Sequence, residues 1–184
     1  MTEGNTKKTE GQGEALLVID MLNDFLLEGA PLEVTGAREI IPFLKKHIEA
    51  ARQGGVPVIY ICDSHTSGDP EFEVWPEHAV SGSAGAGVVD ELEPLPGDII
   101  VRKTSYSGFY NTDLEEILRD HNVRQLTIAG VCTSICVLYT AVDAFMRGYD
   151  VEVPDDSVAG LSPEDHTFAL RQIREVLVPR RDRE

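Results

Sequence analysis

Cysteine is scarce in this chain, and it follows no pattern. Three cysteines among 184 residues are an odd number without repeated spacing. That argues against a disulfide framework and for a reducing, cytoplasmic setting. Basic residues are few as well: 16 Lys and Arg face 32 Asp and Glu, a formal net charge of −16. Such a surplus disfavours nucleic acid or an anionic membrane surface as the main partner. No apolar run approaches the length of a membrane span. The opening MTEGNTKKTEGQGE has no apolar core of the kind a secretory signal needs. Internal repeats are also missing.

What is present suits one domain. The chain is long enough for a sizeable core, and its 42% hydrophobic content is ordinary for a globular protein. Residues 14–179 are expected to form that domain. Residues 1–13, rich in Gly, Thr, Lys and Glu, are expected to be a disordered tail, and residues 180–184 a short C-terminal one.

Short apolar runs alternate with helical patterns. Strands are expected at 15–20, 56–61, 98–102, 125–129, 150–153 and, as a sixth, 175–178. Helices are expected at 36–53, 112–121 with a Thr112 cap, 134–147 ended by Gly148, and 163–174 with Ser162 as cap and Pro163 at its first position. Ile40, Phe43, Leu44 and Ile48 give the first helix its apolar periodicity. This alternation predicts an α/β fold, a Rossmann-like three-layer sandwich with a mainly parallel sheet and helices on both faces. In such sheets the site lies beyond the carboxyl ends of the strands. Asp20, Asp63, His65, Lys103 and Cys136 all fall there.

Cys132 and Cys136 lie in GVCTSICVLYTAVDAF. Cys136 is placed in the first turn of a helix that follows a strand directly. There the helix dipole favours a thiolate, and free backbone N–H groups can hold an oxyanion. Alone, it reads more readily as a small buried hydrophobe. The spacing C-x-x-x-C argues against a redox pair, and zinc would need two further ligands. Asp20 ends an apolar strand and needs a partner if buried; the plainer reading is a cap on the loop MLNDF. Lys103 precedes the aromatic, glycine-containing TSYSGFY, as a pocket wall might be built. Together the three make a coherent nucleophile set: a cation lowers the thiol pKa, and a carboxylate takes its proton. In the long loop 64–87, Asp63-x-His65 is followed by Glu71 and His78. This mixed carboxylate and imidazole set suits zinc, iron or manganese.

The blocks ALLVIDMLNDF, DSH…PEFEVWPEH, RKTSYSGFYNTDL and GVCTSICVLYTAVDAFMRGY, in this order and spacing, resemble the isochorismatase-like cysteine hydrolases, most closely the nicotinamidases. The resemblance spans roughly residues 15–178. It implies an Asp20–Lys103–Cys136 catalytic triad and a cis peptide before Cys132. It also implies an oxyanion hole from the backbone N–H groups of Cys132 and Cys136. One divalent metal ion is implied, zinc first and iron or manganese as alternatives, held by Asp63, His65 and His78 with Glu71 as a further carboxylate. Phe25, Trp75 and Tyr110 match positions that line the substrate pocket. The implied reaction is hydrolysis of nicotinamide to nicotinate and ammonia through a cysteine thioester, in NAD salvage, by a homo-oligomer acting on a small-molecule amide. Ser134 stands where many members carry Asp, and the segment around Lys103 is shorter than in some nicotinamidases. Two other readings remain: a metal-free relative acting on another amide, a ureido compound or isochorismate, and an inactive relative serving as a binding or assembly module.

Overall fold

The computed structural model describes residues 13–177. The expected tails, apart from Gly13, lie outside the described residues. Strands β1 (Glu14–Ile19), β2 (Val58–Asp63), β3 (Ile99–Lys103), β4 (Gln125–Val131), β5 (Asp150–Glu152) and β6 (Val158–Ala159) form one sheet. Its order is β3-β2-β1-β4-β5, with β6 beside the end of β4, and every pairing is parallel. Helices are α1 (Asn23–Leu26), α2 (Ala37–Gly54), α3 (Leu114–Asp120), α4 (Leu138–Arg147) and α5 (Pro163–Val176).

Both faces of the sheet are covered, which explains why β1 reads as an unbroken apolar run. Leu17 and Ile19 point to the face carrying α3, α4 and α5, where Leu114, Leu118, Ala141, Ala144, Leu170 and Ile173 pack. Leu16 and Val18 point to the face carrying α1 and α2, against Phe25, Leu26, Ile40, Leu44 and Ile48. Phe43 is not part of that buried stripe and is 40% exposed.

Two expectations are corrected. The sixth strand is not at 175–178: α5 runs on through Glu175 to Val176, and Leu177 closes it by donating its N–H to Ile173 O. The actual sixth strand, Val158–Ala159, is two residues long and pairs with Gly130 and Val131. Helix α3 begins at Leu114 rather than Thr112, although the Thr112 hydroxyl does accept the Leu114 N–H at 3.3 Å. Ser162 caps α5 as expected, accepting the Asp165 N–H at 3.1 Å.

After β1 the chain builds outward through β2 and β3, then returns to place β4 on the other side of β1. The strand order reverses between β1 and β4, and a crevice opens at their carboxyl ends. Gly130, at φ +119°, sits in β4 against β1, and a Cβ there would collide with the Ile19 carbonyl oxygen. Only glycine lets the two strand ends approach so closely. No helix among the described residues is long and apolar enough to cross a membrane.

Candidate active site

Three strand ends deliver three buried polar side chains to the crevice. Asp20 follows β1, Lys103 closes β3, and Cys136 lies in a π-type turn, Thr133–Val137, between β4 and α4. Asp20 adopts φ 49°, a left-handed conformation that Asp tolerates better than most residues. Its N–H donates to Ile61 O at 2.8 Å and its carbonyl accepts from Leu22 N at 2.8 Å, so the chain turns sharply as β1 ends. The peptide Val131–Cys132 is cis, as the resemblance implies.

Lys103 Nζ is fully buried and has three close neighbours. It lies 2.8 Å from Asp20 Oδ2, 2.5 Å from Asp63 Oδ1 and 3.5 Å from Cys136 Sγ. The other Asp20 oxygen accepts the Asp63 backbone N–H at 2.8 Å. The ammonium thus donates to Asp63 Oδ1 and Cys136 Sγ, and it faces Asp20 Oδ2 as an ion pair without hydrogen-bond geometry. Burial works against charge on Lys103, but Asp20 and Asp63 outweigh it and hold its pKa well above the usual lysine value. Asp20 is pushed up to about 6, first by burial and then by the neighbouring Asp63 charge.

The thiol corrects one expectation. Lys103 does favour the thiolate, but burial is stronger and pushes the Cys136 thiol well above its ordinary value. Burial thus weighs against a preformed thiolate at Cys136.

Beside this cluster, ligand-type atoms of Asp63, His65 and His78 lie within 4.8 Å of one another, all buried. Their orientation fits a cation. His78 Nδ1 is 2.7 Å from Pro76 O, and since a carbonyl only accepts, Nδ1 carries the proton. Nε2 is then a lone pair, and it faces Asp63 Oδ2 and Glu71 Oε1, each at 3.9 Å. His65 stands between two carboxylates: Nδ1 faces Asp69 Oδ2 at 3.3 Å and Nε2 faces Asp63 Oδ2 at 3.7 Å, and although burial opposes its charge, Asp63 and Asp69 push its pKa up to about 8. Neither ring nitrogen of His65 makes a hydrogen bond of good geometry, although the ring is fully buried. An imidazole whose outer nitrogen is held by a carboxylate or carbonyl, with its inner nitrogen unsatisfied, is the usual preparation of a metal ligand. Burial lowers the His78 pKa, which favours the neutral, ligating form. The donor set suits zinc, iron or manganese. Glu71 approaches His78 but stands outside the group of three.

Asp63 joins the two clusters. One of its oxygens meets the lysine, and the other faces the histidines.

The cavity between the clusters holds about 340 Å³ of empty space, part of it open to solvent. Cys136, Cys132, Asp63, Glu71 and His78 border it, and Phe25, Trp75, Tyr106, Ile135, Leu32 and Leu161 complete its wall. Phe25 meets the edge of the His78 ring, with centroids 5.4 Å apart. Trp75 Nε1 donates to the Tyr106 hydroxyl at 3.2 Å, tying the loop that carries His65 and His78 to the segment after β3.

Of the residues singled out in the sequence, Asp20, Lys103, Cys136, Asp63, His65, His78, Glu71, Phe25, Trp75 and Cys132 come together here. Tyr110 does not. It is 57% exposed and does not border the cavity; Tyr106, four residues earlier, takes that place. Tyr106 is aimed by stacking on Tyr139 of α4, at 5.8 Å between centroids. Ser134, the departure noted from the sequence, is half-buried and does not line the cavity. Asp69 was also missed, and only its position four residues after His65 could have hinted at it.

The fold and this constellation define a doubly wound α/β protein with a buried carboxylate–ammonium–thiol cluster beside an imidazole–carboxylate cluster. Comparison with known proteins names the class. The Isochorismatase domain matches residues 14–183, and the chain belongs to the isochorismatase family of hydrolases. Three solved structures share the fold and about a third of the sequence. N-carbamoylsarcosine amidase from Thermoplasma acidophilum is 36% identical, with TM-score 0.82 over 93% of this chain and 98% of that one. Nicotinamidase PncA from Bacillus subtilis is 34% identical, with TM-score 0.83 over 90% and 96%. Pyrazinamidase of Pyrococcus horikoshii, solved in complex with zinc, is 34% identical, with TM-score 0.83 over 89% and 95%.

Proposed function

We propose that this chain is a metal-dependent amidohydrolase that converts nicotinamide to nicotinate and ammonia, a step of NAD salvage. The observation that carries this reading is the chemistry of the cavity wall. Its charged members, Asp63 and Glu71, are acidic, and no Lys or Arg borders it among the described residues. A small, flat, uncharged carboxamide suits aromatic walls with such a lining. A substrate bearing its own carboxylate would find no Lys or Arg side chain in this wall to pair with it.

Asp20 takes the Sγ proton of Cys136 as the sulfur attacks the amide carbon. The carbonyl oxygen, now an oxyanion, is held by the backbone N–H groups of Cys132 and Cys136. Each such donor contributes about 3–4 kcal/mol in enzymes where one has been removed. Protonated Asp20 gives its proton to the leaving nitrogen, the C–N bond breaks, and ammonia departs from a thioester. Asp20 then takes a proton from water, which attacks the thioester and releases nicotinate; that proton returns to Sγ. Lys103 keeps its charge throughout and holds Asp20 and the developing thiolate in register. Asp63, His65 and His78, with Glu71, would hold a divalent ion, zinc first, with iron or manganese as alternatives. When bound, that ion supplies a Lewis acid for the pyridine nitrogen.

The test is ammonia release from nicotinamide by purified protein, before and after chelation and metal restoration. Loss with chelator and return with metal is the expected result. Protein with metal bound that releases no ammonia would overturn the assignment.

A second reading follows from the likeness to N-carbamoylsarcosine amidase: cleavage of a ureido compound by the same triad. Assaying an N-carbamoyl amino acid beside nicotinamide separates the two. Turnover of the carbamoyl compound alone favours the second.

A further inference from the structure

The start of α1, just after Asp20, also grips the far end of the metal loop. Asn23 donates its N–H to Gly87 O at 2.9 Å and its side-chain amide to Ala84 O at 2.8 Å. Asp24 donates its N–H to Gly85 O at 3.0 Å, and its Oδ2 accepts the Ala79 N–H at 2.8 Å. Gly85 packs so tightly on the Asp24 carboxylate that a Cβ there would collide with it.

Ala79 is the pivot of this arrangement. It follows His78 directly, is fully buried, and adopts φ 44°, which a residue with a Cβ rarely does. Such a conformation persists only where its surroundings over-determine it. Here the N–H is held by Asp24, and the carbonyl accepts the His65 N–H at 3.0 Å. The His65 carbonyl in turn accepts the Ser81 N–H at 2.8 Å. One short path, Asp24 to Ala79 to His65, thus fixes the backbones from which both imidazoles project.

We infer that Asp24 is a positioning residue for the metal site: through Ala79 it sets where His65 and His78 present their ring nitrogens. It touches neither ion nor substrate. Histidines placed by packing alone would sample several orientations, whereas a site that must match a metal's short bonds tolerates little error. Asp24 carries no role in the proposed reaction, and the inference rests on the metal reading given above.

The experiment is a zinc titration of metal-free protein in competition with a chromophoric chelator. Wild type, Asp24→Ala, Asp24→Asn and, as a reference, His65→Ala are compared. Asp24→Ala is expected to weaken zinc binding about 10–100-fold, the usual cost of losing a partner behind a ligand. Asp24→Asn, whose amide oxygen still accepts from Ala79, is expected to stay within about 3-fold of wild type. The melting temperatures of the metal-free forms are measured alongside. A melting temperature lowered in Asp24→Ala with zinc affinity unchanged overturns the inference, because Asp24 would then serve the fold alone. Weakening in Asp24→Asn as large as in Asp24→Ala also overturns it, since the hydrogen bond would not be the cause. Wild type without zinc affinity above His65→Ala overturns the metal reading itself, and the inference with it.

Discussion

Lys103 Nζ stands 3.5 Å from Cys136 Sγ, farther than it stands from the carboxylates of Asp20 and Asp63. The ammonium is thus spent mainly on two buried acids, and the thiol receives the remainder. This explains how a cation can sit beside a cysteine whose pKa is nonetheless raised by burial. In the proposed reaction, proton transfer therefore accompanies attack rather than preceding it.

Replacing the sulfur tests the assignment most directly. Cys136→Ala is expected to lower kcat by about 10⁴-fold or more, as loss of a catalytic nucleophile does elsewhere. Cys132→Ala is expected to remain within about tenfold, because the proposal uses only its backbone N–H. Steady-state ammonia release, with circular dichroism to verify folding, checks both.

In the proposed reaction Asp20 is expected to set the acid limb of the rate. Its pKa in the folded protein is about 6, and it must be ionised to accept the thiol proton. Activity should therefore fall as the pH drops through about 6. A kcat/KM profile from pH 4.5 to 8 reads this, and a flat profile across that limb would sink the role given to Asp20.

The same shift has the opposite sense for stability. For a carboxyl raised from 3.8 unfolded to about 6 folded, the ionised form is disfavoured by folding. Below pH 3.8 the group is neutral in both states and costs nothing. As pH rises toward 6 stability declines, and above 6 the full penalty stands. Asp20→Asn should thus be inactive with metal restored, yet in its metal-free form at least as stable as wild type at pH 8. Denaturant midpoints at pH 5 and pH 8 test it: the advantage of the variant should grow at the higher pH.

Lys103→Met should behave in the contrary way. It strands two buried carboxylates, which costs about 3–5 kcal/mol where one partner of a buried ion pair is removed. A lower urea midpoint in the metal-free protein is the expected result.

Most of the fold was legible because a covered parallel sheet writes itself as apolar runs between amphipathic helices. The failures were of two physical kinds. The segment after Arg174 carries the apolar content of a strand, but with α5 already packed against the sheet it continues as helix to Val176. Val158–Ala159 is too short to show any period, and it pairs only because β4 lies open there. In the site, strand-end residues could be picked out, since chain direction alone puts them in the crevice. Tyr106 and Tyr110 could not be told apart from TSYSGFY. Their orientation is decided by α4, through Tyr139 on Tyr106, the Ser107 hydroxyl to Asp143 at 2.5 Å, and Gly108 N–H to Thr140 at 2.9 Å. Asp24 was hidden for the same reason, because its partner Ala79 is 55 residues away.

The absent side chain at Gly130 has a consequence for what this protein can become. With β4 pressed on the Ile19 carbonyl, the floor that carries Asp20 and Cys132 has no slack. A lineage seeking bulkier substrates could not widen the crevice by parting these strands without losing the alignment of base and nucleophile. Room would have to come from the rim, where Leu161 stands on a segment of its own and Trp75 and Tyr106, joined by a hydrogen bond, would change together. On this scaffold, space for a larger substrate is therefore expected from changes at the periphery of the crevice rather than at its floor.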